Sequence, residues 1–485
     1  MELTLIGHDC RYQVEQLQQA LFGVDARGSA VSQVERQGNA LRFLTQITLD
    51  GKTTHGCREL PAGQGDDRRE FYKALRLSYF DAAVPQLSEY PAWGALAGVR
   101  PTKLSTRHLL EGGTAESADA LLRDTYYVTP LRRHMALSCS MASVRAVEQT
   151  RQQDISLYIG IPFCPTRCTY CSFVSRTVGR NKALMEEYLT CLLQEIRVTG
   201  TLLRQSGRTV RTVYIGGGTP TTLSAGQLNR LLEAVSRDID LSRCIEYTVE
   251  AGRPDTLDGE KLQVLRSHGI SRISINPQTM VDSVLHACGR PHTAQDVRNI
   301  YAQAQEMGFT DINMDLIAGL PTDTYEGFCD SLSELIGLSP SNITVHTLAL
   351  KKGADLFESR QALPDRETVS KMLDFSRESL EKAGYRPYYL YRQKYMSGNY
   401  ENVGWSRDGR DCLYNIYMME ELHPIVSLGG GGMSKVNLTE SRLERFHNPK
   451  FPEQYISQHS QVLEQKQALC RLLADLLSGA DGKEA

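Results

Sequence analysis

Between about residues 155 and 375 the chain alternates two hydrophobic patterns: short apolar runs typical of buried strands, and longer segments with helical apolar spacing. The predicted strands are SLYIGI, TVYIGGG, YTVEAG, RISINP, INMDLIAGLP and NITVHTLAL. The predicted helices are ALMEEYLTCLLQEI, AGQLNRLLEAVSRDI, EKLQVLRSHG, TAQDVRNIYAQAQEMG, YEGFCDSLSELIG and SKMLDFSRESLEKAG. Six βα units in a row predict a parallel sheet of the α/β class. Because a complete βα barrel has eight such units, we expect an open, partial (βα)6 barrel.

Residues that favour helix ends stand where this pattern needs them. Ser224 precedes one helix and is of the type that caps helix N-termini. Gly269, Gly308 and Gly384 each follow a helix, at the position that favours a left-handed backbone.

The segments on either side of this region have different hydrophobic patterns. Residues 1–150 begin with a strand (LTLIG), a helix (VEQLQQALFG) and a further strand (ALRFLTQITL), which predicts a small N-terminal α+β domain. Residues 376–485 are rich in Tyr at first, then Gly-rich (SLGGGGMSK), then helical, which predicts a mixed C-terminal domain. The core domain is therefore expected at 151–375.

The composition is that of an ordinary soluble protein, with 41% hydrophobic and 23% charged residues and a net charge of -3. No long run of one charge indicates nucleic acid or a membrane surface as a partner. The N-terminus lacks the features of a signal peptide, and no apolar stretch has the length of a membrane span. We therefore expect a cytoplasmic protein, and we read its twelve cysteines as thiols rather than disulfides.

Three of these cysteines are clustered. Cys164, Cys168 and Cys171 have the spacing Cys-x3-Cys-x2-Cys and follow the first predicted barrel strand. That position is the C-terminal rim, where βα barrels carry their chemistry.

The number of cysteines suits a catalytic iron–sulfur cluster. Four thiolates would close a [4Fe–4S] cluster, whereas three leave one iron open to another ligand. S-adenosylmethionine (SAM) can bind that iron through its amino and carboxylate groups, and electron transfer to its sulfonium gives a 5′-deoxyadenosyl radical. The alternative is a zinc site, but no fourth ligand has the expected spacing.

Polar residues and glycines recur at the ends of the later predicted strands. The second strand ends in Gly216-Gly217-Gly218-Thr219-Pro220-Thr221, whose glycines let a ligand approach the backbone closely. Glu250 ends the third strand and suits ribose hydroxyls, Gln278 ends the fourth with Arg290 beyond it, and Asp315 lies on the fifth. Each alone is more typical of a surface or cap residue, but as a set on one rim they favour a ligand site.

With these motifs the chain resembles the radical-SAM oxygen-independent coproporphyrinogen III dehydrogenase family. The matching elements are YxxxPFCxxxCxYCxF, GGGTPT, the Gln278 region and DLIxGLP, over roughly residues 155–440. The further segments GVRPTK, YRQKY, GNYENVGW and LGGGGMSK resemble the HemZ-type subgroup.

The resemblance implies a role for individual positions. Tyr158, Gly217 and Glu250 would hold the cluster-bound SAM, and Met433 aligns with a further SAM contact. A possible second SAM would be lined by Tyr170, Gly218, Thr219, Gln278, Arg290, Asp315 and Ala349. The implied catalytic set is Cys164, Cys168, Cys171 and Glu250, the three cysteines being the metal ligands.

The implied reaction is the oxidative decarboxylation of coproporphyrinogen III, or of a related tetrapyrrole, with an electron donor such as flavodoxin or ferredoxin. Candidate partners for the substrate propionates are Arg176, Arg180, Arg392 and Lys394, whose alternative role is ordinary surface charge.

Two departures from the family keep other functions open. Gly160 stands where the family usually has His, and Ser172-Phe173 follows the motif where the demonstrated decarboxylases carry a fourth cysteine. The second departure is shared with haem chaperones, whose typical His-Asn pair has Tyr414-Asn415 as its counterpart here. A radical-SAM methyltransferase or a tetrapyrrole ring-opening enzyme is the third alternative.

Overall fold

A computed structural model describes residues 1–23, 26–349, 354–358, 362–393, 400–407, 409–439 and 442–481. The chain divides into two compact units, Met1–Met141 and Ala142–Ala485. The three-domain division expected from the sequence stays a prediction. In the described part of the chain, no helix combines the length and apolar character needed to cross a membrane.

The first unit is α+β, as predicted. Its strands are β1 (Glu2–Ile6), β2 (Ser29–Gln37), β3 (Ala40–Leu49) and β4 (Lys52–Pro61). Its helices are α1 (Arg11–Phe22), α2 (Arg68–Ala83), α3 (Thr102–Leu110), α4 (Ala115–Ala120) and α5 (Pro130–Glu148), in which the unit boundary falls. The sheet order is β1-β2-β3-β4, and only the β1–β2 pair is parallel. Phe43 and Ile47 on β3 are fully buried in a core shared with α1 and α2.

The second unit has thirteen strands among the described residues, eleven in one large sheet and two in a small parallel pair, Phe163–Cys164 with Arg176–Thr177. The strands are β5 (Asp154–Ile161), β6 (Phe163–Cys164), β7 (Arg176–Thr177), β8 (Thr209–Gly217), β9 (Glu246–Gly252), β10 (Arg272–Ile275), β11 (Asp311–Ala318), β12 (Asn342–Thr347), β13 (Arg386–Arg392), β14 (Glu401–Ser406), β15 (Ile425–Leu428), β16 (Met433–Thr439) and β17 (Arg442–His447). The helices are α6 (Lys182–Gln205), α7 (Ala225–Asp238), α8 (Gly259–Ser267), α9 (Asp282–Ala287), α10 (Ala294–Glu306), α11 (Tyr325–Leu338), α12 (Asp355–Glu358), α13 (Arg366–Lys382), α14 (Leu413–Glu420), α15 (Pro452–Ser457) and α16 (His459–Asp481).

The predicted barrel is confirmed. β5, β8, β9, β10, β11 and β12 are neighbours in this order, and all their pairings are parallel. On α7 the buried Leu228, Leu231, Leu232 and Val235 have the spacing of one helix face, which packs the helix against the core. The sheet then continues at both edges. β14 and β13 follow β12 in antiparallel pairing, while β15 joins β5 in parallel and leads to antiparallel β16 and β17.

The predicted helix ends are confirmed as well. The Ser224 side chain accepts a hydrogen bond from the Gln227 amide at the start of α7. Gly269, Gly308 and Gly384 each follow a helix with positive φ, at 72°, 85° and 84°. These helix-end signals depend only on residues that are neighbours in the chain, so they can be recognised in the sequence.

Candidate active site

The three thiols line one cavity of about 120 Å³ at the C-terminal ends of the barrel strands. Eight residues predicted for the site meet there: Cys164, Cys168, Cys171, Tyr170, Gly218, Thr219, Gln278 and Arg290. The other lining residues are Thr166, Arg167, Ser175, Gly252, Arg253 and Asn276.

The Gly-rich end of β8 holds the cysteine loop in place. The amides of Gly218 and Thr219 donate to the carbonyls of Ile161 and Phe163, at 2.9 and 2.7 Å. A Cβ atom on Gly218 would lie 2.4 Å from the Phe163 carbonyl oxygen and 3.0 Å from the Cys164 sulfur. The close approach of these two segments therefore requires glycine at this position.

The surroundings of the sulfurs suit an iron–sulfur cluster. Nη1 of Arg253 and Nη1 of Arg290 lie 3.9 and 3.8 Å from the Cys168 sulfur, and Thr219 Oγ1 lies 3.7 Å from that of Cys164. Such donors stabilise the negative charge that thiolate ligands and a cluster carry. Burial raises the pKa of the Cys171 thiol, and its cysteine neighbours raise it further, so that metal binding has to displace a proton.

Among the described residues, no group of three or more His, Cys, Asp or Glu side chains is arranged closely enough to hold a single metal ion. The fit to a cluster therefore rests on the three sulfur donors, the cavity they share and the N–H groups directed at Cys168.

Glu250, at the end of β9, faces the barrel interior beside this cavity. Its carboxylate accepts hydrogen bonds from the Tyr214 hydroxyl at 2.5 Å and from the Gly217 amide at 3.2 Å. Burial raises the pKa of Glu250 to about 7, and the charge of Asp315 contributes to this shift. The ring of Tyr158 stacks on that of Tyr214 with centroids 6.3 Å apart. Glu250, Gly217 and Tyr158 thus form a group next to the cavity and do not line it.

Gln278 is positioned by an unusual backbone. Its φ is 72°, in the left-handed region that residues other than Gly seldom adopt. Its amide donates to the Asp315 carbonyl at 2.9 Å, and its own carbonyl accepts from the Ile317 amide at 3.0 Å. These bonds hold the strained residue and keep its side chain at the cavity wall.

Arg290 follows α9 in the chain, and its side chain lines the cavity. Its Nη1 donates to the Tyr170 hydroxyl at 3.1 Å and its Nη2 to the Asn276 carbonyl at 2.7 Å. Within the described residues, its Nε and the side-chain oxygen of Asn276 are buried without a hydrogen-bond partner. Such orphaned groups are expected where a ligand completes the site.

Asp315 lies on β11, beside Gln278. Its carboxylate accepts from the Asn313 amide at 2.7 Å and lies 3.7 Å from His346 Nε2. Burial alone would raise the pKa of Asp315, but the His346 and Asn313 hydrogen bonds outweigh it, and the pKa lies below its usual value. Asp315 is therefore kept as a carboxylate within the barrel.

Two predicted SAM contacts lie away from the thiols. Ala349 follows β12, and Met433 begins β16, where it pairs with His447 of β17. Neither residue lines the cavity.

Two of the predicted substrate cations, Arg176 and Arg392, do not line the cavity. Arg176 is 2.7 Å from Glu453, and its guanidinium lies over the Phe451 ring at 5.1 Å. Arg392 ends β13, opposite Glu401, with 5% of its surface exposed. The backbone of Arg180 ends a short 3-10 turn, but its side chain and all of Lys394 lie outside what the structure describes.

The cavity also contains residues that the sequence did not single out. Arg253 and Asn276 directly follow β9 and β10, and Thr166 and Arg167 lie between the first two cysteines. The rule that polar residues at C-terminal strand ends share one rim also applies to Arg253 and Asn276.

Comparison with known proteins agrees with this geometry. The Radical SAM superfamily matches residues 158–335. The oxygen-independent coproporphyrinogen-III oxidase-like protein HemZ of Bacillus subtilis is 38% identical over 77% of this chain and 76% of its own length. The heme chaperone HemW of Haemophilus influenzae is 29% identical over 62% of this chain and 76% of its own length.

Among solved structures, the coproporphyrinogen III oxidase HemN of Escherichia coli, described as a radical SAM enzyme, is similar with a TM-score of 0.53. The alignment covers 66% of this chain and 72% of that one, with 23% identity. At this identity the likeness shows a shared fold.

Proposed function

The chain belongs to the HemZ-type family of radical SAM proteins, and from this premise we propose that it oxidatively decarboxylates coproporphyrinogen III to protoporphyrinogen IX. Its cofactors are a [4Fe–4S] cluster and SAM. The observation that carries the substrate proposal is the cavity lining, which brings the cationic side chains of Arg167 and Arg290 to the thiol-bearing surface. A cationic lining suits an anionic substrate with several carboxylates.

The cluster and SAM, when bound, supply a 5′-deoxyadenosyl radical, which abstracts hydrogen atoms. In the proposed reaction a propionate gives a β-hydrogen atom to the radical, then releases carbon dioxide, passes one electron to an external one-electron acceptor, and becomes a vinyl group. Cys164, Cys168 and Cys171 hold the cluster in this proposal, and Glu250, Gly217 and Tyr158 orient SAM beside it. An electron donor such as flavodoxin or ferredoxin starts each cycle. The binding of a second SAM by Tyr170, Gly218, Thr219, Gln278, Arg290, Asp315 and Ala349 stays a prediction.

We assign a substrate propionate to Arg167 in preference to the cations predicted from the sequence. Arg167 lines the cavity, and 45% of its side-chain surface is exposed. Its ion pair with Asp355, at 4.0 Å, lies at the surface, where such pairs contribute little. Arg176 by contrast is held by Glu453 and Phe451, and Arg392 is buried.

The haem chaperone function has less support from this chain. Tyr414 is 3% exposed, and its ring stacks on Tyr214 with centroids 4.4 Å apart. The Asn415 side chain donates to the Tyr388 hydroxyl at 3.5 Å. The pair that replaces the chaperones' His-Asn is therefore packed into the protein, where Tyr414 cannot reach an iron without unstacking.

The test is mass spectrometry of the products formed by anaerobically reconstituted protein with SAM, a reductant and coproporphyrinogen III. We expect loss of carbon dioxide and appearance of vinyl groups. A product that gains methyl groups would instead establish a methyltransferase, and unchanged substrate together with tight haem binding would establish a chaperone.

Variants at Arg167 test the substrate contact. A hydrogen bond to a charged group contributes about 1.5–3 kcal/mol, so Arg167→Gln should raise the substrate KM by about tenfold or more. Arg167→Lys should recover part of this loss, because it restores charge without bidentate geometry. Arg176→Gln is the matched control and should leave the KM unchanged. Equal effects of Arg167→Gln and Arg176→Gln would refute the assignment.

A further inference from the structure

Arg253 is a buried cation with a defined set of partners. It follows β9 directly and is 4% exposed. Its Nη1 donates to the Thr166 hydroxyl at 2.8 Å and to the Thr166 carbonyl at 3.3 Å, and the same nitrogen lies 3.9 Å from the Cys168 sulfur. One guanidinium nitrogen therefore joins the loop between the first two cysteines to a cluster ligand.

The rest of this guanidinium is fixed by a carboxylate. Nε and Nη2 donate to the two Asp255 oxygens at 2.9 and 2.7 Å, a bidentate arrangement that fixes the plane of the group. The pair begins in the turn after β9, where Pro254 opens a short 3-10 segment, Pro254–Thr256. The direction of Nη1 toward Cys168 is thus set by Asp255 and by the turn.

The second cation at Cys168 has a different partner set. Arg290 also approaches this sulfur, at 3.8 Å, but no carboxylate forms an ion pair with it among the described residues. Asp255 pairs directly with Arg253, also lies 3.5 Å from His292 Nδ1, and acts on the charge of Arg290 without pairing with it. Removing the Asp255 charge would therefore increase the positive potential at Cys168.

Such a cation changes how readily a bound cluster accepts an electron. Reduction adds one negative charge to the cluster, and N–H groups directed at its sulfurs stabilise the reduced form more than the oxidised form. We propose that Arg253 is a positioning residue that directs an N–H group at Cys168 and favours the reduced cluster, with Asp255 limiting the size of that effect. This role concerns the shared radical SAM chemistry and is independent of the tetrapyrrole substrate.

The experiment is a redox titration of the reconstituted cluster, followed by electron paramagnetic resonance and normalised to iron content. At a fixed potential, Arg253→Gln should lower the ratio of reduced to oxidised cluster about tenfold, which for a one-electron couple is a shift of about 59 mV. Asp255→Asn should raise the ratio by threefold or more. Arg253→Lys should lie between wild type and Arg253→Gln, because a single ammonium cannot hold Thr166, Asp255 and Cys168 together.

The opposite signs separate electrostatic tuning from simple loosening of the loop. Loosening would shift Arg253→Gln and Asp255→Asn in the same direction, and that result would overturn the proposal. The matched control is Arg298→Gln, which breaks a second bidentate pair, with Glu334, outside the cavity. If Arg253→Gln does not retain iron, the test rests on Asp255→Asn. A ratio of reduced to oxidised cluster in Asp255→Asn that is equal to or below that of wild type would refute the role.

Discussion

Two buried charge networks in the second unit differ in how completely their atoms are paired. In one, Lys466 lies 3.3 Å from Glu195, and both side chains are fully buried. Glu195 also accepts from the Asn448 amide, the Tyr455 hydroxyl and the Gly429 backbone, at 3.0, 2.5 and 2.8 Å. Lys466 in turn donates to the side-chain oxygen Oδ1 of Asn448 at 2.9 Å. This network serves the fold by fixing the glycine loop beside β5.

The second network, at the thiol cavity, is incomplete. Arg290 and Asn276 each retain a buried polar atom without a hydrogen-bond partner among the described residues. Arg290 approaches the Cys168 sulfur at 3.8 Å and forms no ion pair with a carboxylate among the described residues. A complete network stabilises the protein, whereas an incomplete one beside three thiols is poised for a ligand. The predictions below test this difference.

The largest expected effect is the loss of the cluster. Changing Cys164, Cys168 or Cys171 to Ala should remove the bound iron and abolish SAM cleavage, because three thiolates are needed to hold the cluster with one open iron. The measurements are iron and sulfide content and 5′-deoxyadenosine formation. Cys288→Ala is the control, since this thiol is buried near Cys168 but does not line the cavity. Equal loss of iron in the control would show that the ligand set is wrong.

Disrupting the complete network of Lys466 and Glu195 should instead lower the stability of the protein. Lys466→Met leaves the Glu195 carboxylate buried and unpaired, which should lower the free energy of unfolding by about 3–5 kcal/mol. The double variant Lys466→Met with Glu195→Gln should regain much of the lost stability, since both charges are then absent. Denaturant unfolding of the cluster-free protein provides the measurement. A single variant within about 1 kcal/mol of wild type would mean that the network is not structural.

A smaller effect is the change of unfolding free energy with pH that the Glu250 carboxyl group should cause. Because burial raises its pKa from 4.5 to about 7, the folded protein binds this proton more tightly than the unfolded chain. Stability should therefore fall as the pH rises through the window between these two values, by up to about 3 kcal/mol. Glu250→Gln should lack this component, so the difference in unfolding free energy between the two proteins should change across the window. A constant difference would contradict the placement of Glu250 in a buried site.

The barrel could be predicted because its signals are local. The apolar runs gave the six parallel strands, and glycines at helix ends gave correct boundaries, as with Gly269 and Gly308. The strand-end rule also brought Gln278 and Arg290 to the thiol cavity. Each of these features depends on residues close together in the chain.

What the sequence left out depends on long-range contacts. The parallel pairing of β15 with β5 joins segments more than 250 residues apart, and no local pattern indicates it. The Tyr414–Tyr214 stack has the same origin. Arg253 was not singled out because an Arg before Pro254 is typical of an ordinary turn, and its contact with Cys168 joins residues 85 positions apart in the chain. The contact of Arg176 with Glu453 joins residues 277 positions apart in the chain, and no local pattern indicates it either.

The most direct test of the proposed function follows the hydrogen atom itself. Reconstituted protein is given SAM, a reductant and coproporphyrinogen III deuterated at the propionate β-carbons, and 5′-deoxyadenosine is analysed by mass spectrometry. We predict that deuterium enters 5′-deoxyadenosine in proportion to the vinyl groups formed, because the radical removes that hydrogen atom. Unlabelled 5′-deoxyadenosine together with intact propionates would contradict the account.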